Sequence, residues 1–330
     1  MATYKDIKGS NVQSIAGDPP SPVKGQIWYN STTKVLKGEI FAAAAWATGG
    51  NLGTGRYSRA MFGTQTDAVF AAGSPPSTTN ATEKYNGSSW TASGNLNTSR
   101  RGLAGCGIST AGLAFGGTTA PPSSTSAATE EFNGSAWTNQ TGMPQGVRQQ
   151  FGAGTQTAAF ASGGMLDPPA APINNTYEYN GSSWTAGGAM GHGRTDGQAC
   201  GTLTAGLAVG GRDSNPPPSA TPAADTVEEY DGSSWTAGGA YPTAMNATGV
   251  AGTQTSALAF GGNTGGNQSA ANLYDGTSFT STTALNTGRG YVSGCGTQTV
   301  GLAAGGGVPP YQQTEEFSGA ANQTKTIDVD

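Results

Sequence analysis

Short apolar runs recur along this chain at a near-constant spacing, and small or polar residues fall at the same phases between them. Runs such as Gly112-Leu113-Ala114-Phe115 end on a glycine pair. That phase lies at Ala72-Gly73, Gly116-Gly117, Gly163-Gly164, Gly210-Gly211, Gly261-Gly262 and Gly305-Gly306. An aromatic residue follows at Tyr85, Phe132, Tyr179, Tyr230, Tyr274 and Phe317. Five residues later stand Trp90, Trp137, Trp184, Trp235 and Phe279, with Asn322 ending the series. Six copies at a period of 44–51 residues mark a repeat architecture, in which no copy buries its apolar surface alone.

Each copy predicts four strands. The first runs to a Gly-Thr-Gln-Thr turn, as at Gly63 to Thr66, and the second is the apolar run before the glycine pair. The third is of the Thr129-Glu130-Glu131-Phe132 type, and the fourth starts at the tryptophan. Between the last two sits Asn-Gly or Asp-Gly, from Asn86-Gly87 to Asp275-Gly276, which predicts a type I′ hairpin turn. Four antiparallel strands per period make one blade of a β-propeller. The expected fold is therefore all-β, a six-bladed β-propeller. The large aromatics fill the wedge that opens between blades away from the axis, each contributing roughly 2–3 kcal/mol by burial.

The last copy stops after its third strand, Thr314 to Phe317, and the repeats begin with a fourth strand around Phe41 to Thr48 that contains Trp46. The N-terminal strand is thus expected to complete the last blade and remove an open sheet edge. The expected domains are residues 1–40, an anchor and linker with a small hairpin, and residues 41–330, the propeller. The loops after the glycine pairs vary most, with 11 to 19 residues separating the second glycine from the aromatic. They carry Pro121-Pro122, Pro168-Pro169, Pro216-Pro217-Pro218 and Pro309-Pro310, which stiffen them. On the same face the inter-blade linkers carry Arg56, Arg100, Arg148, Arg194 and Arg289. Arg148 is shifted by one position, and Met245 replaces arginine in the fifth copy. Together with Arg212 these form a candidate ring of donors at the channel mouth for an acidic or sugar ligand. The alternative is that they cap carbonyls at blade starts.

Composition narrows the chemistry. Glycine accounts for 54 of 330 residues, charged residues for only 11%, and the formal net charge is −5. With no run of Lys or Arg, a nucleic-acid partner is not expected. No apolar stretch reaches membrane-spanning length, so membrane insertion is not expected either. The N-terminus lacks the apolar core of a signal peptide, which points to synthesis in the cytoplasm. Cys106, Cys200 and Cys295 share one phase in alternate copies, too far apart for disulfides, and read as free thiols in small buried sites. His192 is the one histidine, set in Gly191-His192-Gly193. It offers neither metal-ligand spacing nor a triad context. Neighbouring carboxylates such as Glu228-Glu229 alternate along a strand and face opposite sides. The expectation is no enzyme, no catalytic residue, no metal and no cofactor.

Gly-Gly, then Tyr-Asp-Gly, then Trp, then a linker carrying Arg resembles the kelch repeat over residues 41 to 322, although the Tyr-to-Trp hairpin is shorter than in the usual kelch pattern. The adjacent Asp231-Gly232 departs from the sialidase Asp-box, which needs an intervening residue. Residues 1–40 do not follow the repeat. Gly17-Asp18-Pro19-Pro20 reads as an extended linker, and Gln26 to Lys37 as a hairpin too small to be stable alone. The segment Pro22-Val23-Lys24-Gly25-Gln26-Ile27-Trp28-Tyr29-Asn30 resembles a short module of fibre and baseplate proteins of tailed bacteriophages. Joined to Gly/Ala/Thr-rich kelch-like repeats, it is similar to virion proteins of phages that infect marine cyanobacteria. The resemblance implies a virion location and contacts to other virion proteins through residues 1–40. It also implies a variable-loop face that binds a host cell-surface glycan or protein. A purely structural decoration or spacer protein, or a cellular kelch-type scaffold, are the alternatives.

Overall fold

A computed structural model describes residues 12–57, 60–74, 77–119, 124–167, 170–213, 223–307 and 309–327. The proline segments Pro121-Pro122, Pro168-Pro169 and Pro216-Pro217-Pro218 lie outside the described residues. The chain divides into two units: Trp46–Ser318, and the segment before Trp46 together with the one from Gly319 onward.

The larger unit is all-β and β-propeller-like, built of four-stranded antiparallel sheets in which each strand pairs with the next. Sheet I comprises Ala60–Thr64, Asp67–Gly73, Thr79–Tyr85 and Trp90–Ser93. Sheet II comprises Ala104–Ile108, Ala111–Phe115, Thr129–Phe132 and Trp137–Gln140. Sheet III comprises Phe151–Gly154, Ala159–Ser162, Thr176–Tyr179 and Trp184–Gly187. Sheet IV comprises Gln198–Thr202, Ala205–Val209, Val227–Tyr230 and Trp235–Ala237. Sheet V comprises Gly249–Thr253, Ser256–Phe260, Ala271–Tyr274 and Phe279–Thr282. Sheet VI takes Ser293–Gly296, Val300–Ala304 and Thr314–Ser318, and its fourth strand is Ala45–Thr48. Each first strand lies beside the first strand of the next sheet, and that of sheet VI lies beside that of sheet I.

The sheets are joined by side chains that read their neighbours. Four indole N–H groups donate to a threonine hydroxyl on the preceding sheet: Trp90 to Thr314, Trp137 to Thr82, Trp184 to Thr129 and Trp235 to Thr176, at 2.9–3.0 Å. Where sheet IV offers Val227 at that position, sheet V carries Phe279, which has no donor. Where sheet V offers Ala271, the Trp46 indole turns to the carbonyl of Thr283 at 2.9 Å. A second pairing follows the same logic. Tyr85, Tyr179, Tyr230 and Tyr274 donate their hydroxyls to Glu316, Glu131, Glu178 and Glu229 of the sheet before. The two phenylalanines at this phase, Phe132 and Phe317, follow sheets that have Lys84 or Leu273 in place of that glutamate. The glutamine of the Gly-Thr-Gln-Thr turns is a third clamp. The Nε2 of Gln65, Gln156, Gln254 and Gln298 each donates to two backbone carbonyls of the preceding sheet.

The turns between third and fourth strands differ from expectation. Only the glycine is left-handed (Gly87, φ 89°), and four residues close the loop rather than two. The Asn86 side-chain oxygen accepts the N–H groups of Ser88 and Ser89, and Asn133, Asn180, Asp231 and Asp275 do the same in their own turns. An Asx turn therefore replaces the type I′ turn, because a capping side-chain acceptor satisfies N–H groups without a second positive φ.

The smaller unit is one four-stranded sheet. Gln13–Ile15 runs parallel to Ile27–Asn30, which forms a hairpin with Val35–Ala42, and Ala321–Ile327 pairs antiparallel with that last strand. Asp18 organises it, accepting from the Trp28 indole (3.1 Å) and the Asn30 amide (2.8 Å) and pairing with Lys37 (2.7 Å). These bonds to Lys37 and Asn30 hold its carboxyl below the usual range. Two expected boundaries move as a result. Phe41 and Ala42 belong to this sheet, so the strand that completes sheet VI begins at Ala45. Residues from Gly319 on, assigned from the sequence to the repeats, leave them and become its edge strand. Six of the seven residues in Ala321–Ile327 are exposed, so no buried face marks the strand in the sequence.

Candidate functional site

Four of the six candidate arginines are not ligand donors. Arg56, Arg100, Arg194 and Arg289 have no exposed side-chain surface, and each meets a glutamate of its own sheet. The partners are Glu83, Glu130, Glu228 and Glu315, at 2.5–2.8 Å. Arg100 also donates to the carbonyls of Gly116 and Ala128, both at 2.7 Å, and Arg194 and Arg289 repeat that pattern. Burial lowers each guanidinium pKa, and the paired carboxylate opposes it. The other carboxylate oxygen accepts a backbone N–H of the incoming linker, from Gly53, Asn97, Gly191 and Asn286, at 2.7 Å in every case. Arginine, glutamate and linker N–H thus form a closed latch that fixes the start of each sheet. The carbonyl-capping alternative is the correct reading for these four.

Sheets III and V replace the whole latch. Their arginine positions hold Val147 and Met245, and their glutamate positions hold Tyr177 and Asn272. Their linker positions hold Pro144 and Pro242, which have no N–H to offer. Val147 and Tyr177 pack in one apolar cluster with Met143. Asn272 donates to the Tyr241 hydroxyl at 3.0 Å, in a pocket closed by Met245. Arg148 is therefore not a displaced latch arginine. It occupies the next position along, shared by Tyr57 and Arg101, and that position faces the mouth.

The mouth is edged by a series of left-handed backbone positions. The residue two beyond each latch position is left-handed: Gly102, Gln149, Asp196, Ala247 and Tyr291 have φ between 55° and 63°. From Gln149 on, the N–H of each donates to the carbonyl of its counterpart in the sheet before. Gln149 bonds Gly102 at 2.6 Å, Asp196 bonds Gln149 at 3.1 Å, Ala247 bonds Asp196 at 2.6 Å and Tyr291 bonds Ala247 at 2.9 Å. The sixth position, Ser58, lies outside the described residues. The glycine pairs support this arrangement. The N–H groups of Gly117, Gly164, Gly211 and Gly262 donate to the latch-position carbonyl of the following sheet at 2.7–2.9 Å. A Cβ on the first glycine of the pair would meet that carbonyl, as Gly163 would meet Arg194 O at 2.6 Å.

Against this series lies a cavity of about 340 Å³ lined by Tyr57, Arg101, Arg148, Gln149, Asp167 and Tyr291 among others. Tyr57 stands 5.4 Å from Tyr291 and 5.5 Å from Tyr311, centroid to centroid. Arg148 gives one guanidinium N–H to the Gln149 side-chain oxygen and another to the Met165 sulfur, and lies 3.8 Å from the Asp167 carboxylate. Arg212 faces Asp196 at 3.5 Å, and the Gln149 amide also donates to Asp196. Burial raises the Asp196 pKa, while Arg212, Arg148 and Gln149 counter it. Of the candidate arginines, then, Arg148 and Arg212 belong to the mouth. Arg101, Tyr57 and Tyr291 are mouth residues that the sequence reading passed over. The signal available for them was contrast between copies, since these two phases change from repeat to repeat while the latch phase holds arginine in four of six.

The three cysteines are free and buried in the first strands, each sulfur donating to a carbonyl of the next sheet at 3.6 Å. Burial pushes the Cys106 and Cys200 thiols up to about 12. Among the described residues no group of three His, Cys, Asp or Glu side chains could hold a metal. No helix among them is long and apolar enough to cross a membrane.

No protein-family model and no curated protein matches the chain. Its fold is similar to a solved structure described as "Structure of YjhT". The two superpose with a TM-score of 0.65 at 12% sequence identity, over 83% of this chain and 99% of that one.

Proposed function

We propose that this chain is a non-enzymatic phage virion protein, an appendage or fibre component. Its sheets are the blades of a six-bladed, kelch-like propeller whose variable-loop face binds a host-surface glycan or protein. The observation that carries the reading is the cavity at the mouth, where exposed Arg101 and partly exposed Arg148, Tyr57 and Tyr291 meet on the face that also bears the variable loops. Concave sites with a few convergent polar groups are the ordinary form of a small-ligand site. The resemblance of Pro22 to Asn30 to a phage fibre module supports the virion location. That four of six candidate arginines are latches favours a second reading, a spacer protein without a ligand.

Fluorescently labelled full-length protein applied to a panel of marine cyanobacterial strains separates the two. Binding to a subset of strains, lost when the loops after the glycine pairs are exchanged for the short sheet V loop, is the expected result. Binding to none of the strains, with antibody labelling of the protein along the virion, supports the spacer.

A further inference from the structure

We propose that Arg101 and Arg148 receive the acid group of an acidic sugar, a carboxylate or a sulfate, while Tyr57 and Tyr291 take the face of its ring. This rests on the host-glycan reading above and names the chemistry of that same site.

The arginines of this protein use their donors in different ways. A guanidinium has five N–H groups and no acceptor, and its strong partners are carboxylates and phosphates held in a fork. Each latch arginine already has a carboxylate oxygen at 2.5–2.8 Å on one nitrogen and backbone carbonyls on others, while the Nε of Arg100, Arg194 and Arg289 has no acceptor among the described residues. Neither mouth arginine has a carboxylate that close among those residues. Arg148 gives one nitrogen to the Gln149 side-chain oxygen and another to a thioether, a weak acceptor, and its Nε stands 3.8 Å from Asp167, beyond hydrogen-bond distance. Arg101 is exposed on the cavity wall, and among the described residues no carboxylate lies within ion-pair distance of it. Two cations against one carboxylate leave the cavity with a positive excess in a chain whose formal net charge is −5. An anionic group would fill both donor sets and be drawn toward them over the range of a Debye length.

The body of the ligand follows from shape. The cavity of about 340 Å³ is the size of a small-molecule site and has none of the breadth of a protein interface. Tyr57 and Tyr291 line the cavity with rings 5.4 Å apart and inclined by 32°, aromatic surface of the kind that meets the C–H face of a pyranose. An extended acidic peptide offers no such face, so the sugar is the favoured occupant.

The test uses the full chain at low ionic strength with four probes: tetragalacturonic acid, its neutral methyl ester, a sulfated carrageenan tetrasaccharide and hexaglutamate. Binding is read by calorimetry on wild type, Arg101→Gln, Arg148→Gln and the double variant, with unchanged melting as the control for folding. At least one acidic tetrasaccharide should bind, with the uronate and the sulfate arms distinguishing the two acid groups. For the uronate, the ester should bind about tenfold or more weakly. For either acidic probe, each single variant should lose about tenfold, the scale of one charge-assisted hydrogen bond. The proposal is overturned if neither acidic sugar binds, if the double variant binds like wild type, or if ester or hexaglutamate binds as tightly as the best sugar. Adsorption of the double variant to cyanobacterial cells keeps the two levels apart. Undiminished adsorption sinks the anion pair and leaves host recognition standing, whereas failure of wild-type protein to adsorb sinks host recognition itself.

Discussion

Sheets II and III solve the same local problem with opposite chemistry. Both must anchor an incoming linker against the end of the third strand. Sheet II does so with Arg100, Glu130 and the Asn97 N–H, all buried and mutually bonded. Sheet III does so with Val147, Tyr177 and Pro144, a set with neither charge nor N–H. Sheets I, IV and VI follow the first scheme. Sheet V is as uncharged as sheet III but keeps a polar Asn272, bonded to Tyr241. No sheet keeps one charge of the pair without the other. Removing one partner of a buried ion pair is costly, whereas exchanging the whole set for apolar groups is often neutral. The repeats thus display, within one chain, the two allowed ends of that exchange and none of the forbidden intermediates.

The comparison can be broken at several levels. The largest effect should come from Arg100→Met, which leaves Glu130 buried without its cation and should cost about 3–5 kcal/mol. Converting sheet II wholly to the sheet III set, with Arg100→Val, Glu130→Tyr and Asn97→Pro, should recover most of that loss. Denaturant titration of both proteins decides it, and equal destabilisation would show that the latch does not act as a unit. An intermediate effect is expected where sheets IV and V meet. Phe279→Trp places an indole N–H against Val227 and should cost about 1–3 kcal/mol as an unsatisfied buried donor. Adding Val227→Thr supplies the missing acceptor, so the cycle of single and double variants should show favourable coupling, and additivity would argue against the pairing. The smallest effect concerns the Asx turns. The Ser234 N–H, with the Ser233 hydroxyl and N–H, holds the Asp231 carboxyl down at about 2 in the folded protein. A depressed folded pKa contributes stability above the unfolded value that is lost as pH falls through the folded one. Between about pH 4 and pH 2 the wild type should therefore lose stability that Asp231→Asn does not. Parallel pH profiles for the two proteins would remove Asp231 from the acid response.

The repeat phases, the four strands per copy and the role of Trp46 in completing sheet VI were all legible from residue spacing, because strand order and turn chemistry recur with every copy. The sequence left the arginines open between ligand donors and carbonyl caps for a physical reason. A linker arginine beside a variable loop looks the same in sequence whether its side chain turns outward or inward, and only the partner three strands away tells them apart. The glutamates at 83, 130, 228 and 315 were visible, and their absence in the two copies that lack arginine and carry proline was the available clue. Ala321–Ile327 could not be read as an edge strand, since a strand exposed on nearly all its residues has no buried face to impose a pattern. The turns were misjudged because Asn-Gly suits both a type I′ and an Asx turn, and loop length decides between them.

The hydrogen bonds that run from Gly102 through Gln149, Asp196 and Ala247 to Tyr291 make repeat number and repeat stability separate matters. A latch lies within its own sheet and the linker leading into it, and would move intact with a duplicated or deleted copy. The series from Gly102 to Tyr291 takes one residue from each sheet in turn, so a copy added or lost among them changes its length while every latch stays whole.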